Sequence, residues 1–217
     1  MKCYLVNLDK TPDRLAFIEE QFNYLLAGVP EGSMELVRVS AVDAAELDEQ
    51  TVAKYYEKDH YSFNARFFPN VLSASGMTNG EIACFLSHRK CWKKIVEAQE
   101  DYAVVLEDDI IFSDTAGRFF SETAWIPKNA DIIKLEVLTR KIITGIDSDT
   151  RFQGKEVLRL YSSSLGTAAY VISRKTAEKL LKMTERFFIP VDHFMFSIFF
   201  PYFSEFVCYQ VVPAICI

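Results

Sequence analysis

Three carboxylates stand side by side at Glu107-Asp108-Asp109, directly after the apolar run Tyr102-Ala103-Val104-Val105-Leu106. Like charges this close raise one another's pKa, so the cluster favours a neutralising cation. Oxygen ligands suit Mg²⁺ or Mn²⁺, and either ion can bridge the two phosphates of a nucleoside diphosphate. The competing reading is a solvated strand end whose carboxylates cap nearby backbone N–H groups. Side chains alternate along a strand, so Glu107 and Asp109 are expected on one face and Asp108 on the other, with Asp109 on the metal.

Upstream, Glu81, Cys84, His88 and Cys91 recur at helical spacing and imitate a metal site. The imitation fails on length, because ten residues of helix extend about 15 Å, too far for one ion. Ser87 and His88 can contact a bound donor, or His88 can be a hydrogen-bonded, half-buried histidine. Arg89, Lys90, Lys93 and Lys94 form a basic patch that reads as a solvated face or as a contact for anionic lipid. Asp192, in Pro190-Val191-Asp192-His193, opens a short helix among Phe187, Phe188, Phe194, Phe196 and Phe199. There it can be an N-cap or a partly desolvated general base. His193 can complete a metal shell or cap a phosphate.

The elements that must position these residues follow from hydrophobic periodicity. Strands are expected at 3–8, 35–42, 102–106, 131–138, 141–146, 157–161 and 167–172, with the carboxylates at the C-terminal edge of a strand buried on both faces. Helices are expected at 14–26, 44–58, 174–186 and 191–200. The clearest helix begins at Thr78, where Thr78 and Glu81 offer a capping box. Residues 60–76 read as a long loop. The alternation predicts one α/β domain over 1–217, with ligands beyond the carboxyl ends of the strands.

A net charge of −6 and a pI near 5.2 exclude nonspecific nucleic-acid binding, which needs a basic surface. Five cysteines without a CxxC pair suggest neither a disulfide framework nor a zinc ribbon. The N-terminus lacks a signal-peptide pattern, and no segment reaches the roughly 18 apolar residues of a membrane span. A cytoplasmic location is the expectation.

Seven ordered segments resemble glycosyltransferase family 25, which includes galactosyltransferases of bacterial lipooligosaccharide synthesis. They are Tyr4-Leu5-Val6-Asn7-Leu8-Asp9 with Asp13-Arg14; Ala41-Val42-Asp43; Gly80-Glu81-Ile82-Ala83-Cys84 with Leu86-Ser87-His88; and Val105-Leu106-Glu107-Asp108-Asp109. Gly166-Thr167-Ala168-Ala169-Tyr170-Val171-Ile172-Ser173, Ala177-Glu178-Lys179-Leu180 and Pro190-Val191-Asp192 complete the series. The resemblance implies a GT-A-like (Rossmann-like) fold, a mixed, mainly parallel sheet flanked by helices. It also implies Mn²⁺ or Mg²⁺, a UDP-sugar donor with UDP-galactose foremost, and inversion at the anomeric carbon. A nucleotide-sugar-binding part would cover about 1–112 and an acceptor-side part about 113–217. The implied acceptor is a saccharide of the lipooligosaccharide core, reached with peripheral contact at the inner membrane.

By position in the resemblance, Asn7 and Arg14 help bind the nucleotide. Glu107 and Asp109 take the places of the DxD-type motif, with Asp108 beside them on the donor side. Glu81, Ser87 and His88 line the donor pocket, and His193 is a further metal candidate. Inversion needs a carboxylate to deprotonate the acceptor hydroxyl. Asp192 is the expected base and Glu136, after Ile132-Ile133-Lys134-Leu135, the reserve. Another metal-dependent nucleotide enzyme, a nucleotidyltransferase or phosphohydrolase, could use the same acidic strand end, but the chain has no P-loop or GxGxxG cradle. A noncatalytic saccharide-binding protein on this fold is the other alternative.

Overall fold

In the computed structural model, which describes residues 1–137, 141–148 and 150–217, the acidic cluster closes the third strand of a mixed sheet. The N-terminal part runs β1 (Lys2–Asn7), α1 (Pro12–Leu26), β2 (Glu35–Ser40), α2 (Glu49–Tyr55), α3 (Lys58–Phe67), α4 (Asn79–Ala98) and β3 (Tyr102–Glu107). The remainder adds α5 (Ala116–Ser121), β4 (Ile132–Lys134), β5 (Thr150–Phe152), β6 (Lys155–Arg159), β7 (Ala169–Ser173), α6 (Arg174–Met183), α7 (Val191–Phe196) and β8 (Cys208–Val212).

The strand order is β2-β1-β3-β7-β4-β8-β6-β5. Parallel pairs join β1 to β2, β1 to β3 and β4 to β8, and the other neighbours are antiparallel. The α/β sheet flanked by helices is as expected, but parallel pairing dominates only its N-terminal half. Parallel neighbours need long crossovers, whereas β5 and β6 form a hairpin and β7 enters antiparallel between β3 and β4.

Alternation along β3 sends Ala103 and Val105 into one core with α4, α6 and α7, and Val104 and Leu106 into another with α1 and α5. All four are fully buried, which is why the run lacks polar alternation. The directions of the strands bring the C-terminal ends of β1, β2, β3, β4 and β8 and the N-terminal end of β7 to one edge of the sheet. That edge carries the candidate site.

Local signals explain where the expectations hold. Thr78 Oγ1 accepts from Glu81 N at 3.2 Å and Glu81 Oε2 accepts from Thr78 N at 2.7 Å, closing the expected capping box. Residues 60–76 differ from expectation, since α3 occupies much of them. Tyr61 is its one buried residue, so it has no apolar stripe for periodicity to detect. Residues 44–58 divide into a 3-10 turn, Ala44–Glu46, and α2, because Asp48 accepts from Thr51 N and starts a new helix. Residues 141–146 form no strand; Thr144 makes a single bridge to Leu160. Of the strand expected over 131–138, Ile132–Lys134 forms, and position 138 lies outside the described residues.

Candidate functional site

Glu107 ends β3 and is held on its Oε1 from two sides. His88 Nε2 lies at 3.1 Å and Thr167 Oγ1 donates at 2.8 Å. His88, fully buried on α4, also contacts the Tyr170 hydroxyl through Nδ1 at 2.9 Å. Burial by itself would raise the Glu107 carboxyl, but the bonds from His88 and Thr167 hold it below its ordinary value. Burial opposes charge on His88, yet Tyr170, Cys84 and Glu107 together hold its pKa well above the usual histidine range. The Cys84, His88 and Glu107 ligand atoms lie within 4.8 Å of one another. Because both ring nitrogens of His88 are engaged, this cluster works as a clamp on Glu107.

Asp108 points the other way, as strand alternation predicts. Asn7 Nδ2 donates to its Oδ2 at 2.8 Å, Thr11 Oγ1 lies 3.3 Å from the same oxygen, and Arg14 donates to Oδ1 at 3.1 Å. Asn7 is 1% exposed and accepts from Arg38 Nε at 2.9 Å. Arg38 in turn pairs with Asp9. Asn7 therefore acts on the site through Asp108 and Arg38, while the exposed Arg14 remains accessible to an anionic ligand. Arg38 was not singled out from sequence; its signal is an arginine near the end of a strand beside the acidic one.

Asp109 takes no hydrogen bond from another side chain among the described residues. Its pKa is raised, first by partial burial and then by Glu107 and Asp108. It shares a 500 Å³ cleft with Glu81, Glu107, Glu136, Asp192 and His193. An exposed carboxylate, destabilised by its neighbours and open to an oxygen-rich cleft, fits a hard divalent cation.

Another part of the lining comes from α7 and the residue before it. Pro190, not Asp192, is the N-cap, so Asp192 is in the first turn with its carboxylate turned toward the loop before β7. His193 N donates to Asp192 Oδ1 at 2.8 Å and Gly166 N lies 3.3 Å from Oδ2. That loop is fixed by Lys134, which is fully buried and whose Nζ donates to the carbonyls of Ser164, Leu165 and Gly166 at 2.6, 2.9 and 2.8 Å. Lys134 Nζ also pairs with Glu136 Oε1 at 2.7 Å. Burial pushes Glu136 up and Lys134 down, and their ion pair opposes both shifts. One buried cation thus organises the loop that touches Asp192 through Gly166 and Glu107 through Thr167. Its sequence signal was a lone lysine inside the apolar run Ile132-Ile133-Lys134-Leu135.

The structure brings Glu81, Glu107, Asp109, Glu136, Asp192 and His193 to one cleft, with Asn7, Arg14 and Asp108 beside it and His88 beneath it. Ser87 is not brought there. Its Oγ accepts from Val42 N at 2.8 Å and donates to Ala83 O at 2.7 Å, and the residue is 1% exposed. It fastens α4 to the segment after β2, which corrects the expectation of a donor contact. Glu81 lines the cleft while its Oε2 holds the capping box. The basic patch also divides. Arg89 bonds Leu181 O, Thr184 O and Thr184 Oγ1, and Lys90 bonds Ser40 O, leaving Lys93 and Lys94 on the exposed face.

Comparison with known proteins places this geometry in context. The model of glycosyltransferase family 25 (LPS biosynthesis protein) matches residues 1–195. The lipooligosaccharide biosynthesis protein lic2B of Haemophilus influenzae is 31% identical over 169 residues, covering 74% of this chain and 61% of the relative. The lacto-N-neotetraose biosynthesis glycosyltransferase LgtB of Neisseria meningitidis serogroup B is 32% identical over 161 residues, or 70% of this chain and 58% of the relative. A glycosyltransferase 25 family member of Aedes aegypti is 28% identical across 88% of the chain and 30% of its own length. The chain spans about three fifths of the length of these bacterial relatives. With nearly its whole length matched, the chain belongs to glycosyltransferase family 25.

Proposed function

We propose that the protein transfers a hexose, galactose foremost, from a UDP-sugar to a saccharide acceptor of lipooligosaccharide, with inversion and with Mn²⁺ or Mg²⁺. The observation that carries this reading is the presence of Asp109 and Asp192 in the lining of one cleft at the sheet edge. Asp109 would hold the cation, with Glu107 on the donor side and Asp108, Asn7 and Arg14 around the nucleotide. When bound, the cation supplies electrostatic stabilisation to the departing diphosphate.

Asp192 accepts the proton of the acceptor hydroxyl. The acceptor oxygen forms a bond to the anomeric carbon as the bond from that carbon to the UDP oxygen breaks, its electron pair leaving with UDP. Lys134 keeps Gly166 and Thr167 in place while this happens, and Thr167 with His88 keeps Glu107 oriented.

The test is UDP release from individual UDP-hexoses with Mn²⁺, with and without saccharide acceptors. Acceptor-stimulated release supports the proposal; liberation of phosphate or UMP instead would assign the cleft to hydrolysis. Asp109→Asn is expected to lower metal-dependent transfer by roughly 10²-fold or more. The same variant should weaken Mn²⁺ binding measured by electron paramagnetic resonance of the free ion. Unchanged Mn²⁺ affinity would remove Asp109 from the metal site.

A further inference from the structure

The cleft between Asp109 and Asp192 does not end at α7. His193 also lines a second cleft of 380 Å³, and the Ser164–Thr167 loop runs from one to the other, with Ser164 and Leu165 facing the second and Gly166 and Thr167 the first. Phe199 offers the second cleft a ring that is 51% exposed and braced by Phe68 at a centroid distance of 6.4 Å. Such a face suits the C–H side of a pyranose, which is apolar on one surface and hydroxylated at its rim.

The polar groups around that ring match the rim. Ser163 Oγ accepts from Ile198 N at 3.0 Å and Ser197 Oγ accepts from Phe199 N at 3.3 Å, so both hydroxyls are oriented by the backbone and retain a proton to donate. His193 Nδ1 is buried without a hydrogen-bond partner among the described residues. Asn70 adds a carboxamide that can both donate and accept, Lys141 adds an ammonium donor, and no carboxylate lines the cleft among the described residues. Hydroxyls, an amide, an imidazole, one ammonium and one aromatic face are the chemistry of a saccharide site.

We propose that this second cleft holds the acceptor saccharide, with Phe199 beneath its terminal ring and its attacking hydroxyl directed past His193 toward Asp192. The proposal rests on the glycosyl-transfer reading above, and the experiment separates the two. Methyl β-galactoside, methyl β-glucoside and methyl β-N-acetylglucosaminide are presented without donor, and saturation-transfer NMR reports which ring protons touch the protein. At least one should receive saturation from the wild type, strongest at its C–H face. Phe199→Ala should reduce that transfer about fivefold or more. For the same glycoside the acceptor KM should rise roughly tenfold, with kcat and acceptor-independent UDP-sugar hydrolysis nearly unchanged.

Because Phe199 is half exposed, the variant should keep the unfolding midpoint of the wild type within about 2 °C. Equal saturation transfer in wild type and Phe199→Ala, or none to the wild type, overturns the subsite. Phe199-dependent binding without any sugar transfer leaves the subsite standing and overturns the glycosyl-transfer reading instead.

Discussion

Asp192→Asn is expected to lower kcat by roughly 10²- to 10⁴-fold, the range associated with loss of a positioned general base, while UDP affinity stays within about twofold. The substitution changes little besides the ability to take a proton. The carboxamide oxygen can keep the 2.8 Å bond from His193 N, and only the longer contact with Gly166 N is forfeited. Steady-state kinetics with saturating donor and calorimetric titration with UDP measure the two halves of this expectation. Near-normal turnover would falsify the assignment of Asp192 as base. Glu136 would then be the group to test, although at 3% exposure and paired with Lys134 it is less able to reach an acceptor.

Removing the cation beneath the site should have the largest effect on stability. Lys134→Met leaves Glu136 buried without its partner and deprives three carbonyls of a donor. Breaking a buried pair by deleting one member costs about 3–5 kcal/mol. At roughly 2–4 °C per kcal/mol for a chain of this size, Tm should fall by about 6–20 °C. Activity should fall further than unfolding explains at temperatures where the variant is folded, because Gly166 and Thr167 lose their anchor. Replacing both members, Lys134→Met with Glu136→Met, should recover part of the stability, since an apolar pair no longer leaves an isolated charge. A Tm within about 2 °C of wild type for Lys134→Met would show that the pair does not hold the loop.

The two variants differ in what the sequence says about them. Asp192 is a candidate base because its short segment matches an ordered motif, although its local sequence alone favours an N-cap. Only the fold shows that Pro190 takes the cap and that Asp192 meets Gly166. Lys134 was not singled out from sequence; its local signal is a lysine inside an otherwise apolar run. Its partners are about 30 residues away in the chain, and no local pattern encodes that contact. Ser87 shows the converse error. It belongs to a motif with His88, but one helical step turns it from the cleft toward Val42 N.

What the sequence by itself determined is the set of elements with strong local signals and the residues at their ends. The buried run of β3 followed by three carboxylates and the capping box of α4 depend on propensity, alternation and short-range hydrogen bonding. The tertiary structure decided the antiparallel entry of β7, and with it whether Glu107 would meet Thr167 and whether Asp109 and Asp192 would line one cleft. These depend on strand order and long-range packing, where free energy is set by burial of whole faces and by contacts between residues far apart in the chain.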